Sequence, residues 1–443
     1  MNSYFSIFEI FTIFTLSSIL ILSTRLVTSR NKLSIINPLF IYSIIIFYYT
    51  LASPIYQVLF GTLLSRGIDF RDLLIYGWWG ALISTLFVFI GYSLTGKNIS
   101  FKRNRICRVK NKTLVSIAIV INTIGYLGNQ WRYGITFSSF NPFFFSESNI
   151  SFLKYQGAFK GYLSYTLDFL IAGNILLLIV MLNTRKIKFL FLINFILTTG
   201  LYLTGGFRYR LFFLLFSTLF YYLLFERKKN IFIYTYSFIG LLSISFLNSF
   251  IEIVRKYGYG FQLENLSNYS LFGIFKNILD LAETTVFLTT CGIIKIVPTF
   301  QPYVYFYPFY KILIHPFPSS FFNKDPGDYI KDALIELYGS QGMVGAAMHN
   351  FGEYYLMGGW IGIILMSLIL GYIFKKIWIW GNLHKEEPLG LAVYTMNISF
   401  IFMIISRGYL PQQFQLYAFS ILPINLIYFL NSTPIKNKNL ISK

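Results

Sequence analysis

The chain has 443 residues, of which 55% are hydrophobic, 20% aromatic and only 12% charged. Charged residues usually make up about a quarter of a soluble domain, so this composition excludes a water-soluble globule, and its apolarity excludes disorder. A net charge of +20 would suggest nucleic acid in a soluble protein; here its placement along the chain decides its meaning.

Apolar runs of roughly 17–22 residues have the length of membrane-spanning helices. In chain order they are Tyr4–Leu22, Leu33–Leu51, Leu73–Tyr92, Thr113–Asn129, Tyr162–Leu182, Phe189–Thr204, Leu211–Phe225, Ile231–Ile251, Tyr354–Phe374, Leu389–Ile405 and Phe414–Leu430. The reading is an all-α polytopic membrane protein of about eleven transmembrane helices. The sixth and seventh are short and abut at Gly205-Gly206-Phe207-Arg208-Tyr209-Arg210. The first basic residue, Arg25, follows the first run, which therefore reads as a retained span and not as a secretory signal.

Basic clusters follow every odd-numbered span, from Arg25/Arg30/Lys32 to Lys436/Lys438/Lys443, and hold 22 of the 37 Lys and Arg. The positive-inside rule places them in the cytoplasm, with the N-terminus outside and the C-terminus inside. The excess charge is then a topology signal facing an anionic inner leaflet. The connections on the other side are longer and mixed. Three domains result: a membrane domain 1–251, an outer loop domain 252–353, and a membrane domain 354–443. Within the outer loop, the apolar patch Thr284–Val297 is expected to dip toward the bilayer. The stretch Tyr329–Tyr338 reads as a helix with Ile330, Ala333, Leu334 and Leu337 on one face. Such a face suits a membrane surface or packing on the protein itself.

Cys107 falls in a cytoplasmic connection and Cys291 in an outer segment, so no disulfide framework is expected. The three histidines lack zinc-ligand spacing and no Gly-rich phosphate loop is present; no metal or cofactor is expected.

Arginines on the outer side run against the positive-inside trend and carry more information. They include Arg66, Arg71, Arg132, Arg208, Arg210, Arg255 and Arg407. Arg208 and Arg210 follow a Gly pair between two short apolar runs. A guanidinium that close to hydrocarbon needs an anion, a water-filled cavity or a route to the surface. Its planar fork suits phosphate oxygens, so Arg208 and Arg210 are candidate pyrophosphate ligands, with Arg255, Arg132 and Arg407 at the same level. Pairing with Asp168, Asp280 or Glu283 is the structural alternative.

The strongest local signal is the stretch Met348–Gly362, MHNFGEYYLMGGWIG. In a helix, His349 and Glu353 would share a face, where a carboxylate fixes the tautomer of an imidazole and raises its basicity. That pair is the candidate catalytic unit, a general base for a hydroxyl nucleophile. A capped helix start with a satisfied polar pair is the alternative.

This element resembles one in the O-antigen ligase and O-antigen polymerase group of membrane glycosyltransferases. His349-Asn350 is followed by eight residues and then Gly359-Trp360-Ile361-Gly362. Pro316-Phe317-Pro318-Ser319-Ser320, Lys324-Asp325-Pro326 and Glu353-Tyr354-Tyr355 are similar to the oligosaccharide repeat-unit polymerases. The resemblance covers roughly Pro316–Gly371; elsewhere only the layout is similar. It implies a metal-independent enzyme on the outer face of the bacterial cytoplasmic membrane. Such an enzyme joins undecaprenyl-pyrophosphate-linked glycans, donor to acceptor, into O-antigen or capsular polysaccharide, with a chain-length regulator as an expected partner. His349 and Glu353 would then take the acceptor proton, the arginines would hold the pyrophosphate, and Tyr303, Tyr305, Phe306 and Tyr307 would stack on sugar rings. A lipid-linked oligosaccharide flippase and an O-antigen ligase are the rival readings.

Overall fold

The computed structural model describes residues 5–27, 36–60, 63–94, 105–107, 109–132, 164–204, 208–226, 235, 285–314, 317, 329–342 and 346–434. The elements run α1 (Ile7–Val27), α2 (Pro38–Ile46), a π-helical turn (Phe47–Ala52), α3 (Ser53–Phe60), β1 (Leu64–Ser65), β2 (Ile68–Asp69) and α4 (Leu74–Leu94). They continue with β3 (Arg105–Cys107), α5 (Asn111–Arg132), α6 (Phe169–Thr184), α7 (Lys188–Thr204), α8 (Arg208–Phe225), α9 (Thr285–Ile296), α10 (Tyr307–Ile314) and α11 (Tyr329–Gly342). The chain closes with α12 (Asn350–His384), α13 (Pro388–Ser406), α14 (Leu410–Ser420), α15 (Leu422–Leu430) and β4 (Ser432–Pro434).

Among the described residues six helices are long and apolar enough to cross a membrane, and seven if the bent pair α14–α15 forms one span. This is a predominantly α-helical membrane protein. Exposed Phe8 and Phe14 on α1 and Ile361, Leu365 and Ile369 on α12 are the side chains such helices turn to lipid. Ten of the eleven predicted spans coincide with helices. Apart from residue 235, Ile231–Ile251 lies outside the described residues. The apolar stretches of α7 and α8 are shorter than a full span, and α5 has the length but not the apolarity, because Asn122, Asn129 and Gln130 interrupt it.

The chain divides into two compact units. The first comprises Met1–Ile99, Leu266–Trp378 and Ile401–Phe414; the second comprises Ser100–Asn265, Ile379–Phe400 and Gln415–Lys443.

In the first unit Asn37 caps α2, its Oδ1 accepting from the Leu39 N–H at 2.8 Å, with Pro38 at the first helical position. The π-helical turn that follows has a cause in sequence. Pro54 has no N–H to give the Thr50 carbonyl, and the Trp78 indole Nε1–H fills that place at 2.8 Å. A short hairpin, Leu64 opposite Asp69, turns at Arg66-Gly67, both at positive φ. Helices α4 and α12 approach closely because a side chain at Gly91 would strike the Leu368 carbonyl and one at Gly371 the Val88 carbonyl. Helix α9 is the predicted patch Thr284–Val297. It is buried within this unit against α4 and α11, where Phe287, Cys291 and Ile294 fill the space beside Gly77 and Gly80. Helix α11 also packs on the protein, burying Tyr329, Ala333 and Leu334.

In the second unit α6 is almost wholly buried and carries α5, α7 and α8 around it. Strands β3 and β4 pair antiparallel, Ile106 opposite Thr433. Nearby, Glu387 accepts from the Tyr428 hydroxyl at 3.0 Å. The bend between α14 and α15 is 45° and has its cause in Pro423, which cannot donate to the Phe419 carbonyl.

Candidate active site

His349 and Glu353 both lie in the first unit, at the start of α12, and both are fully buried with Asn350 between them. His349 stands just before the helix. Its carbonyl accepts the first helical bonds, from Gly352 at 3.0 Å and Glu353 at 3.4 Å, and its own N–H donates to Thr290 Oγ1 at 2.8 Å.

The imidazole is oriented by a backbone carbonyl. Nδ1 is 2.9 Å from the Ile405 oxygen. A carbonyl only accepts, so the proton resides on Nδ1 and the lone pair on Nε2. Nε2 has no hydrogen-bond partner among the described residues. Phe351 stacks on the ring at 5.2 Å, and Tyr49 from the π-helical turn meets it edge-on at 5.1 Å. Burial drives the imidazole pKa down to about 4, with the Ile405 carbonyl opposing, so the ring is neutral at pH 7. The result is a buried, neutral ring whose Nε2 lone pair has no hydrogen-bond partner among the described residues.

The expected His349–Glu353 bond is replaced by another arrangement. The Glu353 carboxylate accepts from the Tyr329 hydroxyl at 2.5 Å and from the Leu410 N–H at 2.9 and 3.1 Å. The Leu410 N–H is an orphan donor at the start of α14, where a carboxylate is favoured. Glu353 thus ties the first residue of α11 to the turn that carries Arg407. That turn is held to the histidine strand a second time, by the Gly408 N–H donating to the Met348 carbonyl at 2.7 Å. A side chain at Gly408 would strike the His349 carbonyl. Asn350 is buried beside these groups. The Tyr354 hydroxyl leans on its amide without reaching hydrogen-bond geometry with either amide atom.

Helix α12 breaks at Gly358-Gly359, with Gly359 at φ 61. The Val304 N–H donates to the Leu356 carbonyl at 2.8 Å just before the break, and Tyr303 crosses Gly359 to pack on Tyr355 at 6.3 Å. Of the predicted sugar-stacking aromatics, Tyr305 and Phe306 are exposed, while Tyr307 packs against Tyr329 at 5.9 Å.

The arginines separate. Arg407 is half-buried in the turn beside Met348 and His349. Arg210 belongs to the second unit, where its Nε and NH2 donate to Asp168 at 2.5 and 3.3 Å. This is the structural alternative foreseen for it. A buried guanidinium inside apolar helices needs a counter-charge, and Asp168 is also buried. Arg132 ends α5 and Arg208 begins α8; Arg255 lies outside the described residues. Arg71 pairs with Glu9 at 2.9 Å, and Arg66 lies over the Tyr338 ring at 5.3 Å. Among the described residues no three His, Cys, Asp or Glu side chains converge as metal ligands do.

Sequence reasoning missed Tyr329, Thr290 and Tyr49. Pro54 signals the irregular turn that carries Tyr49, but nothing in sequence joins Tyr329 to Glu353. Compared with known protein families, curated proteins and solved structures, the chain finds no match.

Proposed function

We propose that this chain is a glycosyltransferase of the outer face of a bacterial cytoplasmic membrane. It has eleven spans, its N-terminus outside and its C-terminus inside, and it polymerises undecaprenyl-pyrophosphate-linked oligosaccharide repeat units into O-antigen or capsular polysaccharide. The observation that carries the reading is His349, a neutral, buried imidazole whose Nδ1–H is committed to the Ile405 carbonyl while Nε2 has no partner.

In this reaction an acceptor hydroxyl oxygen attacks the anomeric carbon of the donor. The carbon–oxygen bond to the lipid pyrophosphate breaks, and its electron pair leaves with the pyrophosphate. His349 Nε2 takes the hydroxyl proton. An anionic donor beside the ring raises the imidazole pKa above its value in the empty site, which strengthens the base when substrate is bound. Arg407 supplies positive charge to the departing pyrophosphate. Glu353 is a positioning residue. It holds the Arg407 turn and Tyr329 in place and does not itself touch the ring.

Deleting the gene and resolving the surface glycan on a gel tests the reading. A polymerase leaves single-repeat glycan and loses the ladder. Loss of all repeat units, with lipid-linked units accumulating on the inner face, instead identifies a flippase. An intact repeat ladder left on the carrier lipid identifies a ligase, and an unchanged surface ladder refutes all three. His349→Ala at normal abundance must abolish the ladder; a normal ladder from that variant removes His349 from the chemistry.

A further inference from the structure

The second unit contains a polar seam within helices otherwise rich in Leu, Ile and Phe. Its head is the Asp168–Arg210 pair. Polar residues recur from there at helical spacing. Helix α5 carries Asn122, Tyr126, Asn129 and Gln130; α7 carries Asn194, Thr198 and Tyr202; and α8 carries Ser217 and Tyr221, seven and eleven residues beyond Arg210 and on the same face. Contacts join these faces through α6. The Asn122 amide lies on Gly173. Asn174 Nδ2 donates to Thr198 Oγ1 at 2.8 Å, and the Tyr126 hydroxyl is 2.9 Å from the same atom. The Tyr202 hydroxyl donates to the Leu167 carbonyl at 2.9 Å, next to Asp168.

These bonds leave much unmet. Asn122 Oδ1, both amide atoms of Asn129, Gln130 Oε1, Asn174 Oδ1, Asn194 Nδ2, Ser217 Oγ and the Tyr221 hydroxyl have no hydrogen-bond partner among the described residues. None of their side chains belongs to a residue more than 8% exposed. Acyl chains cannot satisfy such groups, and each unpaired one is a standing cost. The concentration of these groups on one set of helices points to a ligand. Its character follows from the lining: amides and hydroxyls, both donors and acceptors, with the single ion pair cancelling its own charge. Neutral hydroxyl groups fit that lining; bare ions do not.

We propose that this seam is a binding path for neutral hydroxyl groups, running from the Asp168–Arg210 pair about 10–16 Å along α8 to Ser217 and Tyr221. Water and a saccharide present the same chemistry to it. The proposal is independent of the glycosyltransferase reading.

Thiol labelling in lipid nanodiscs tests it. In a Cys107→Ser/Cys291→Ser background, Asn174→Cys and Ser217→Cys are exposed to a charged methanethiosulfonate, which reacts with the thiolate and therefore requires water. Both are expected to react at least about ten-fold faster than Leu176→Cys and Leu214→Cys, which are equally buried but apolar. Asn122→Cys replaces either seam variant that fails to elute as a folded species. Slowing by maltotriose assigns the seam to saccharide hydroxyls, and an unchanged rate assigns it to water. Labelling of the seam positions at the rate of the leucine controls overturns the proposal.

Discussion

Replacing Glu353 tests whether the carboxylate holds the candidate site together. Its side chain is fully buried and serves two donors from different parts of the chain, the Tyr329 hydroxyl at 2.5 Å and the Leu410 N–H at 2.9 Å. Glu353→Leu removes the acceptor of both bonds. An unsatisfied buried donor costs about 1–3 kcal/mol, and bonds to an ionised acceptor lie toward the upper end, so Glu353→Leu is expected to cost about 3–5 kcal/mol. Glu353→Gln keeps one acceptor oxygen and is expected to cost about 1–2 kcal/mol. Unfolding by SDS titration in mixed micelles reads both values. Tyr329→Phe completes a double-mutant cycle with Glu353→Gln, with an expected coupling of about 1–2 kcal/mol. If Glu353→Leu lies within about 1 kcal/mol of the parent, or the cycle is additive, the carboxylate does not hold α11 and the Arg407 turn as described.

Acid should destabilise the first unit through His349. The folded pKa is about 4 and the unfolded value about 6.5, so the unfolded chain takes up its proton first. Stability is then full above pH 6.5 and is lost as pH falls toward 4, by about 3 kcal/mol; His349→Gln should remove that component of the pH dependence of the unfolding midpoint. Gly408→Ala is expected to displace the Arg407 turn, because the new methyl group meets the His349 carbonyl, and to lower the thermal midpoint more than Gly67→Ala, where space is open and the left-handed backbone is the only obstacle. In the second unit, Arg210→Met or Asp168→Leu alone should cost about 3–5 kcal/mol, whereas the double variant should recover most of that loss. A double variant that recovers stability yet loses the glycan ladder would assign Arg210 a role beyond pairing with Asp168.

The helical, membrane-spanning character of the chain is legible in sequence because span length and apolarity are local properties. The candidate site is legible only in outline. Spacing of four residues between His349 and Glu353 predicts a shared helical face, but His349 precedes α12 and serves as its cap. Its side chain therefore does not follow the helical period. The imidazole goes to Ile405 and the carboxylate to Tyr329 and Leu410, partners 56, 24 and 57 residues away. No periodicity encodes such pairings. The Arg210 reading turned on a similar limit. Sequence brings out the cost of a guanidinium in apolar surroundings, yet it does not choose between a ligand and Asp168 as the compensating anion.

The surroundings of His349 in the first unit suggest why its polar atoms are tolerated in so apolar a fold. Three interruptions of regular helix occur around the start of α12. Pro54 withholds a donor from the Thr50 carbonyl, the Gly358-Gly359 break ends the first segment of α12, and the chain turns at Arg407-Gly408. The exposed backbone groups are met by the Trp78 indole at Thr50, the Val304 N–H at Leu356 and the Gly408 N–H at Met348. Each substitute comes from a different segment, so the compensation also fixes those segments against one another. Tyr49 from the first interruption and Ile405 beside the third contact the imidazole directly. The ring is therefore held by the irregular backbone around it, while Nε2, like both amide atoms of neighbouring Asn350, finds no hydrogen-bond partner among the described residues. Unpaired polar atoms side by side in an interior that satisfies so many displaced backbone groups are what the proposed reacting proton at Nε2 would account for.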